Sequence, residues 1–420
     1  MFRVEKVLAV VLIAVLAGVL MYECLTPTGF LYPYREEETP EHRRRLPFGL
    51  FDTAHKVAES NVGYATRDTY QRKVYHDGAC FFVLFLADVN LLKYVSSYDV
   101  VSWRSPRTLY SGTIYSDYGG SADIAKSRGT TYKEKYGYYD VEIWLAIHSL
   151  GKASYMMGYR IVGDSLSNVY NAIYSTTYEI QGGSIVTNLN GNKTFAICHW
   201  SNGVGIHVSP ANRVGADTSV PYGGNTTGGN QLLPYKTSSP YNMLALAKGN
   251  DNQLYYNIVN ETSGTFTNPS FTAIALLGKG FSDFCATSEA QSIGDPERVH
   301  LVYIKSTGEL CYRKFESDVW SGETVLVEKG ASYPVIAAGG DGRLYVFYVF
   351  NGVIKLLKFD GEKWLKKQVQ DAFPFHTYNN PAYLSTNQVV QHGKICLVWT
   401  EQNLEGDKPY AVWFGYIEDG

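Results

Sequence analysis

The chain lacks most of what announces a cofactor enzyme. Its 420 residues hold no Cys-x-x-Cys pair, and so no usual sequence basis for a structural zinc site. The stretch Gly223-Gly224-Asn225-Thr226-Thr227-Gly228-Gly229 has no phosphate-loop lysine and no strand–helix context, and reads as a flexible loop. No metal-ligand cluster, Ser/His/Asp signature or thiol-nucleophile motif stands out, so neither a metal nor another cofactor is expected. Charge of one sign is missing too. The 37 Lys and Arg against 40 Asp and Glu leave a formal net charge of −3, which offers no footprint for nucleic acid. Methionine is scarce at 5 residues. No stretch of strand-like length keeps a helical period.

Tyrosine (34) and glycine (40) are abundant, a composition suited to strands joined by tight turns. One long apolar run exists, Val7 to Tyr22, preceded by Arg3 and Lys6. Its sixteen residues fall short of the roughly 18–20 of a spanning helix. They fit the charged start and apolar core of a secretory signal, with Val15 and Ala17 at a small-residue cleavage point. A short retained anchor is the alternative for residues 1–25. Cys24 follows Met21-Tyr22-Glu23, which lacks the small residues of a lipoprotein signal. Either reading exports the chain, as a secreted protein or on the extracellular face of the cell membrane, touching the membrane only through this segment. Residues 26–49 carry Pro27, Pro33, Pro40 and Pro47, an acidic run (Glu36–Glu38) and a basic one (Arg43–Arg45), the pattern of a solvated linker. Beyond Cys24 an odd five cysteines remain; Cys198 and Cys396 lie in apolar runs, as core residues do. An exported chain accommodates one disulfide, whose partners the spacing does not assign.

Residues 50–420 are organised by repetition. Residues 298–320 read RVHLVYIKSTGELCYRKFESDVW and residues 343–364 read RLYVFYVFNGVIKLLKFDGEKW. Gly308 and Gly352 each precede a phenylalanine, Phe315 and Phe359, by seven residues, and Trp320 and Trp364 follow those phenylalanines by five. The copies lie 44 residues apart, the period of propeller blades. Second strands are expected at 80–88, 141–148, 194–200, 243–248, 298–305, 343–350 and 394–401. The predicted fold is all-β, a single β-propeller of four-stranded antiparallel blades, with seven blades and six as the alternative. After 394–401 only one strand, 410–417, remains. The last blade therefore needs an outer strand from residues 51–70, closing the ring and covering its edge.

The turns Ser97-Tyr98-Asp99-Val100-Val101-Ser102-Trp103, Ser317-Asp318-Val319-Trp320 and Asp360-Gly361-Glu362-Lys363-Trp364 resemble degenerate Asp boxes of sialidase-like (BNR-repeat) propellers. The family pattern is Ser-x-Asp-x-Gly-x-x-Trp, which none of the three matches in full. The resemblance implies that Asp99, Trp103, Trp320, Asp360 and Trp364 staple blades. Sialidases also use three arginines, a tyrosine–glutamate nucleophile and an acidic aspartate. Here Arg104, Arg107, Arg160, Arg298 and Arg313 fall on outer strands or turns, so the resemblance does not extend to that activity. Other members of the group are lyases, glycosidases or sugar binders, which implies carbohydrate partners.

A propeller's binding face gathers the links between second and third strands and those between blades. The first kind supplies Asp88, His148 and Glu401 as candidate acid and base groups, besides Asn202, Asn250, Asp251 and Asn351. The second supplies His376 as a further base, with Asp117, Tyr118, Tyr378 and Asn379 as ligand-binding groups. His199-Trp200 reads as the end of a buried strand. Asn192, Asn225 and Asn260 head glycosylation tripeptides, which would make the exported chain a glycoprotein. The expected function is recognition of polysaccharide or glycoprotein glycans. A glycosidase or polysaccharide lyase on the same scaffold, or an adhesion module binding surface proteins, are the alternatives.

Overall fold

The computed structural model describes residues 54–419, apart from 112–120, 127–130, 135–136, 141, 149–152, 176–179, 188–193, 201–202, 210–225, 239–240, 250 and 281–282; some side chains between 121 and 228 are also outside the described set. The apolar N-terminus, the linker at 26–49, Asp117, Tyr118, Asn192, Asn202, Asn225 and Asn250 thus lie outside the described residues, as do the side chains of His148, Cys198, His199 and Trp200.

Among the described residues seven antiparallel sheets of the blade pattern follow one another along the chain. The first runs outward through Val74–His76, Phe81–Asp88, Leu91–Ser97 and Arg107–Ser111. The second comprises Ser121–Lys126, Ile143–His148, Ala153–Val162 and Ser165–Ser175, with the hairpin Thr131–Glu134 and Gly137–Asp140 inserted after its first strand. Ile180–Thr187, Thr194–Trp200 and Gly203–Ser209 form the third. The fourth is built on Thr226–Pro234, Asn242–Gly249 and Gln253–Asn260, and the fifth on Phe284–Ser288, Arg298–Ile304 and Leu310–Glu316. Ala331–Ala338, Leu344–Phe350, Val353–Phe359 and Gln370–Asp371 make the sixth. Every second strand expected from the sequence is the second strand of one of these sheets. They were legible because both faces are covered. Phe81–Asp88, for example, is buried at every residue but the last, whereas the outer strand Arg107–Ser111 is half-exposed.

First strands of consecutive sheets touch in order from the first sheet to the seventh, and Val74–His76 touches the seventh in turn. That closes the ring. The seventh sheet has Ala382–Thr386, Lys394–Gln402 and Tyr410–Glu418, and its outer strand is His55–Ser60, paired antiparallel from His55 opposite Phe414 to Ser60 opposite Tyr410. The N-terminal strand expected from the unfinished last blade is therefore present.

From this latch residues 61–73 cross the ring's centre and bond to first strands around it. Thr66 Oγ1 donates to the Tyr383 carbonyl at 2.7 Å, and Thr69 Oγ1 to that of Phe284 at 2.8 Å. Ser385 Oγ donates to the Gln71 carbonyl at 2.7 Å, and Gln388 Nε2 to that of Tyr70 at 2.9 Å. Arg72 pairs with Asp123 of the second sheet. The axial segment also corrects the reading of the glycine-rich stretch. From Thr226 onward that stretch is the fourth sheet's first strand. Gly229 has φ +93°, and a Cβ there would stand 2.9 Å from Phe284 and 3.0 Å from Tyr70, so only glycine lets the segment pass. Arg298 is a second correction. It opens a second strand and does not lie on an outer one.

The repeated tryptophans join neighbouring sheets. Trp103 of the first sheet packs on Phe414 of the seventh at 5.1 Å, Trp320 of the fifth on Tyr256 of the fourth at 5.9 Å, and Trp364 of the sixth on Tyr312 of the fifth at 4.9 Å. Asp99 Oδ1 accepts the backbone N–H of Val101 and Ser102 at 2.9 and 2.6 Å, and Asp360 Oδ1 those of Glu362 and Lys363 at 3.0 and 2.8 Å. Each aspartate ties its own turn. Cys80, Cys285, Cys311 and Cys396 are buried free thiols.

Deleting residues 55–60 is expected to lower the melting temperature by roughly 10 °C or more, because it bares the edge of Tyr410–Glu418. An unchanged melting curve would count against the latch. A second expectation concerns the seam, where His76 N–H donates to Gln391 Oε1 at 2.8 Å and the His76 ring stacks on Phe81 at 4.0 Å. Burial pushes this imidazole down to about 4, against an upward pull from the Gln391 carbonyl. Unfolded chain takes up a proton near the ordinary value of 6.5 and the ring does not until about 4. Stability is then complete above pH 6.5 and falls as pH drops through that window, by at most about 3 kcal/mol and less with solvent screening. Denaturant midpoints against pH should be flatter for His76→Gln; an equally steep profile would remove His76 as the cause.

Candidate functional site

One face of the ring carries the links from second to third strands and from sheet to sheet. Asp88 and His148 end second strands there, in the first and second sheets. Asp88 accepts from Asn61 Nδ2 at 2.8 Å and from the Val89 N–H at 2.7 Å, which holds its carboxyl below the usual range.

Four of the residues expected at this face meet at the seventh sheet. His376, Tyr378 and Asn379 lie in the crossing from the sixth sheet, and Glu401 is the last residue but one of the strand Lys394–Gln402. His376 Nε2 and Glu401 Oε1 are 2.8 Å apart, and Trp399 Nε1 donates to the same oxygen at 2.6 Å. The Asn379 N–H donates to Glu401 Oε2 at 3.0 Å, and Asn379 Nδ2 to the Gln402 carbonyl at 2.7 Å. The His376 ring is boxed by Trp413 at 4.4 Å, Tyr378 at 4.6 Å and Trp399 at 5.8 Å. Burial raises the Tyr378 phenol well above its ordinary value. Phe373 stacks on Trp399 at 5.1 Å and fills the space over Gly415, where a Cβ would stand 2.3 Å from its ring. Glu401 is 1% exposed and both its oxygens accept, so its carboxylate orients the loop around His376.

The opposite face holds a groove of about 1070 Å³ between the fifth and sixth sheets. Its walls are the turns from first to second strands and from third to fourth, together with the sheet face between them. Three polar groups, buried or nearly so, line up there. His300 Nε2 lies 2.6 Å from Glu289 Oε1, and His300 Nδ1 lies 2.8 Å from Tyr312 Oη. Burial lowers the His300 pKa, so the ring is neutral and carries a single N–H. Glu289 can only accept; it therefore takes the Nε2 proton and leaves the Nδ1 lone pair to accept from the Tyr312 hydroxyl. Burial, then the Glu289 charge, raises the Tyr312 phenol, which keeps its proton at rest. Trp364 packs edge-on against Tyr312 and stands half-buried in the groove wall. Arg298 reaches Glu316 at 2.6 Å and Glu289 at 3.6 Å; Lys314 reaches Glu316 at 2.6 Å. Those two bases hold the Glu316 carboxyl down to about 2.

None of Glu289, His300 and Tyr312 stands out from sequence alone, yet a signal exists. Aligned on the repeat, His300 occupies the place of Tyr345 and Tyr312 that of Leu356. In the sixth sheet the equivalent tyrosine hydroxyl donates to Asp419 at 2.7 Å, and an apolar Leu356 stands where Tyr312 does in the fifth. The fifth sheet departs from its own repeat at the two positions that face the groove. Among the described residues no group of three or more His, Cys, Asp and Glu side chains is placed to hold a metal ion.

No protein-family model matches the sequence, and no curated protein matches it. Solved structures do match in shape. A lectin from Burkholderia pseudomallei superposes with a TM-score of 0.61 at 13% identity, covering 84% of this chain and 99% of its own. The fold is a β-propeller. A polysaccharide lyase, an ulvan lyase bound to -[GlcA(1-4)Rha3S]-, matches with a TM-score of 0.55 at 8% identity, over 87% of this chain and 96% of the other. The WD40 domain of Toxoplasma gondii coronin matches with a TM-score of 0.50 at 10% identity, over 89% of this chain and 87% of that one. Identities this low carry the propeller architecture and nothing more.

Glu401→Gln tests whether the His376 pair is architecture. An amide nitrogen cannot accept on one side of a carboxylate that accepts three bonds, so about 2–3 kcal/mol of stability should be lost. An unchanged denaturation midpoint would instead leave the Glu401 carboxylate available for chemistry.

Proposed function

We propose that this propeller recognises extracellular carbohydrate, and that it does so in the groove between the fifth and sixth sheets. The observation that carries the reading is an aromatic wall beside a polar one in a single large groove. Trp364 offers an indole that is half-exposed, while Arg298, Lys314, Asp341, Glu362 and Lys363 ring the opening. A sugar ring presents C–H bonds on its faces and hydroxyls on its edge, so it stacks on such an indole while its edge bonds to charged groups. About 1070 Å³ is at the top of the range of small-molecule pockets, which suits several linked sugars better than one. The lectin and the polysaccharide lyase among the structural relatives support the reading by analogy of fold. Export from the cell belongs to the same proposal. It rests on the basic start and apolar run of residues 3–22.

Hydrogen exchange checks the reading without disturbing the fold. A polysaccharide found to bind residues 46–420 should protect backbone amides at 288–300, 312–324 and 359–366. Protection confined to 371–380 and 401–410 would move the site to the opposite face. Binding by proteins but by no glycan would replace the proposal with an adhesion module.

A further inference from the structure

The groove holds more than binding requires. Glu289, His300 and Tyr312 form a carboxylate–imidazole–hydroxyl chain, each link 2.6–2.8 Å long, whose last member is one of the residues lining the groove. That is the arrangement by which a hydroxyl is made to exchange protons. Strand register supplies the neighbours. His300 stands opposite Lys314 and Arg298 opposite Glu316, and period-two alternation puts Arg298, His300, Tyr312 and Lys314 on one face of the fifth sheet. The Arg298 and Lys314 side chains remain 40% and 36% exposed, and they share Glu316, itself 37% exposed. One carboxylate at the rim thus holds two cations that a ligand's carboxylate could claim.

We propose that the groove is the active site of a lyase for uronate-containing polysaccharide, with Tyr312 as the proton-transfer group and Arg298 and Lys314 as the carboxylate clamp. The inference rests on the carbohydrate reading of the groove and adds a reaction and a substrate class to it. Hydrolysis needs two opposed carboxylates and a water between them. Elimination needs one group that both takes and gives a proton, plus positive charge at the acidic carbon's carboxylate, and this sheet face carries that set. In the step, the C5 proton of the uronate passes to Tyr312 Oη as the phenol's own proton shifts to His300 Nδ1. The C5–H electron pair becomes the C4=C5 bond, and the C4–O bond breaks with its pair going to the leaving oxygen. Tyr312 hands the newly gained proton to that oxygen, and His300 returns the other to Tyr312. No water is consumed and no oxidant is needed. Glu289 steadies the imidazolium that exists only during the transfer. Because the phenol is protonated at rest, a free phenolate is never required.

Polygalacturonate, alginate and hyaluronan serve as probes, with dextran as the uronate-free control. Turnover should raise the ultraviolet absorbance of a carboxylate conjugated to a new C=C bond, with fragments one water lighter than hydrolysis gives. Tyr312→Phe should lose roughly 10²–10⁴-fold in turnover, while the polysaccharide still protects the groove from hydrogen exchange. His300→Gln should lower kcat at nearly constant KM, as a positioning residue does, and Lys314→Ala should raise KM. Groove protection by a uronate polymer without unsaturated product overturns the lyase and leaves the binding reading standing. Saturated fragments, or full turnover by Tyr312→Phe, overturn it as well. Protection by dextran alone overturns the substrate class, and no protection by any polymer overturns both readings.

Discussion

The ion pair between Arg72 and Asp123 is the interaction on which the ring depends. Asp123 is fully buried, and every lone pair that matters is used. Its Oδ1 accepts from the Arg72 N–H at 2.8 Å and from Nε at 3.0 Å; its Oδ2 accepts from Arg72 Nη2, Ser184 Oγ and the Ile185 N–H, each at 2.8 Å. The same guanidinium also donates to the Ile185 carbonyl. A carboxylate so far from water is tolerable only with this full complement, and removing the cation would strand it. The pair joins the axial segment to the second sheet and, through Ser184 and Ile185, to the third. Twelve residues before Arg72 the chain is still the outer strand of the seventh sheet, ending at Ser60. Latch and axial pin are therefore one continuous device, and closing the ring edge-to-edge also fills its centre.

A filled centre constrains where a ligand can sit. Thr66, Thr69, Tyr70 and Gln71 are all at most 2% exposed, and they bond to residues of the sheets around them. Lys73, buried with them, has its ammonium pulled down to about 8 by that burial, against the attraction of Asp68 and Asp123. Between the fifth and sixth sheets open volume lies among the turns Gly339–Gly342 and Phe359–Trp364 and the face bearing His300. Stapling tryptophans sharpen the effect, since Trp364 holds the two sheets together at the depth of Tyr312 and leaves the rim free.

Architecture was legible because it is repeated and apolar. Strands buried on both faces, such as Phe81–Asp88 and Leu344–Phe350, read as unbroken runs of Val, Leu, Phe and Tyr, and one missing strand in the last blade was enough to place the latch. The axial segment was not legible. Thr66-Arg67-Asp68-Thr69-Tyr70-Gln71-Arg72-Lys73 reads as a polar connection, and only the ring around it gives those groups partners. Gly228 and Gly229 misled for a related reason, since glycine there makes room for Tyr70 and does not mark a loop. The groove was hidden because Glu289 comes from a turn and His300 and Tyr312 from different strands. Their significance is a departure from a neighbouring copy of the repeat, not a motif.

Among the described residues two carboxylate–histidine pairs of similar length occur, and the contrast between them argues for separate roles. At the seventh sheet Glu401 accepts from His376, Trp399 and Asn379, and His376 is enclosed by three aromatic rings. The pair's hydrogen bonds run to its own loop and strand, the economy of a structural tie. At the fifth sheet Glu289 takes one imidazole nitrogen and the other is spent on the hydroxyl of Tyr312, a residue that lines the groove. A buried histidine neutral at rest costs the fold a polar group in the interior, and a structural tie gains nothing from passing that polarity on to a phenol at a groove wall. Proton transfer does. The two pairs share their first two members, so it is the third, tryptophan indole or tyrosine hydroxyl, on which the proposed division between architecture and chemistry rests.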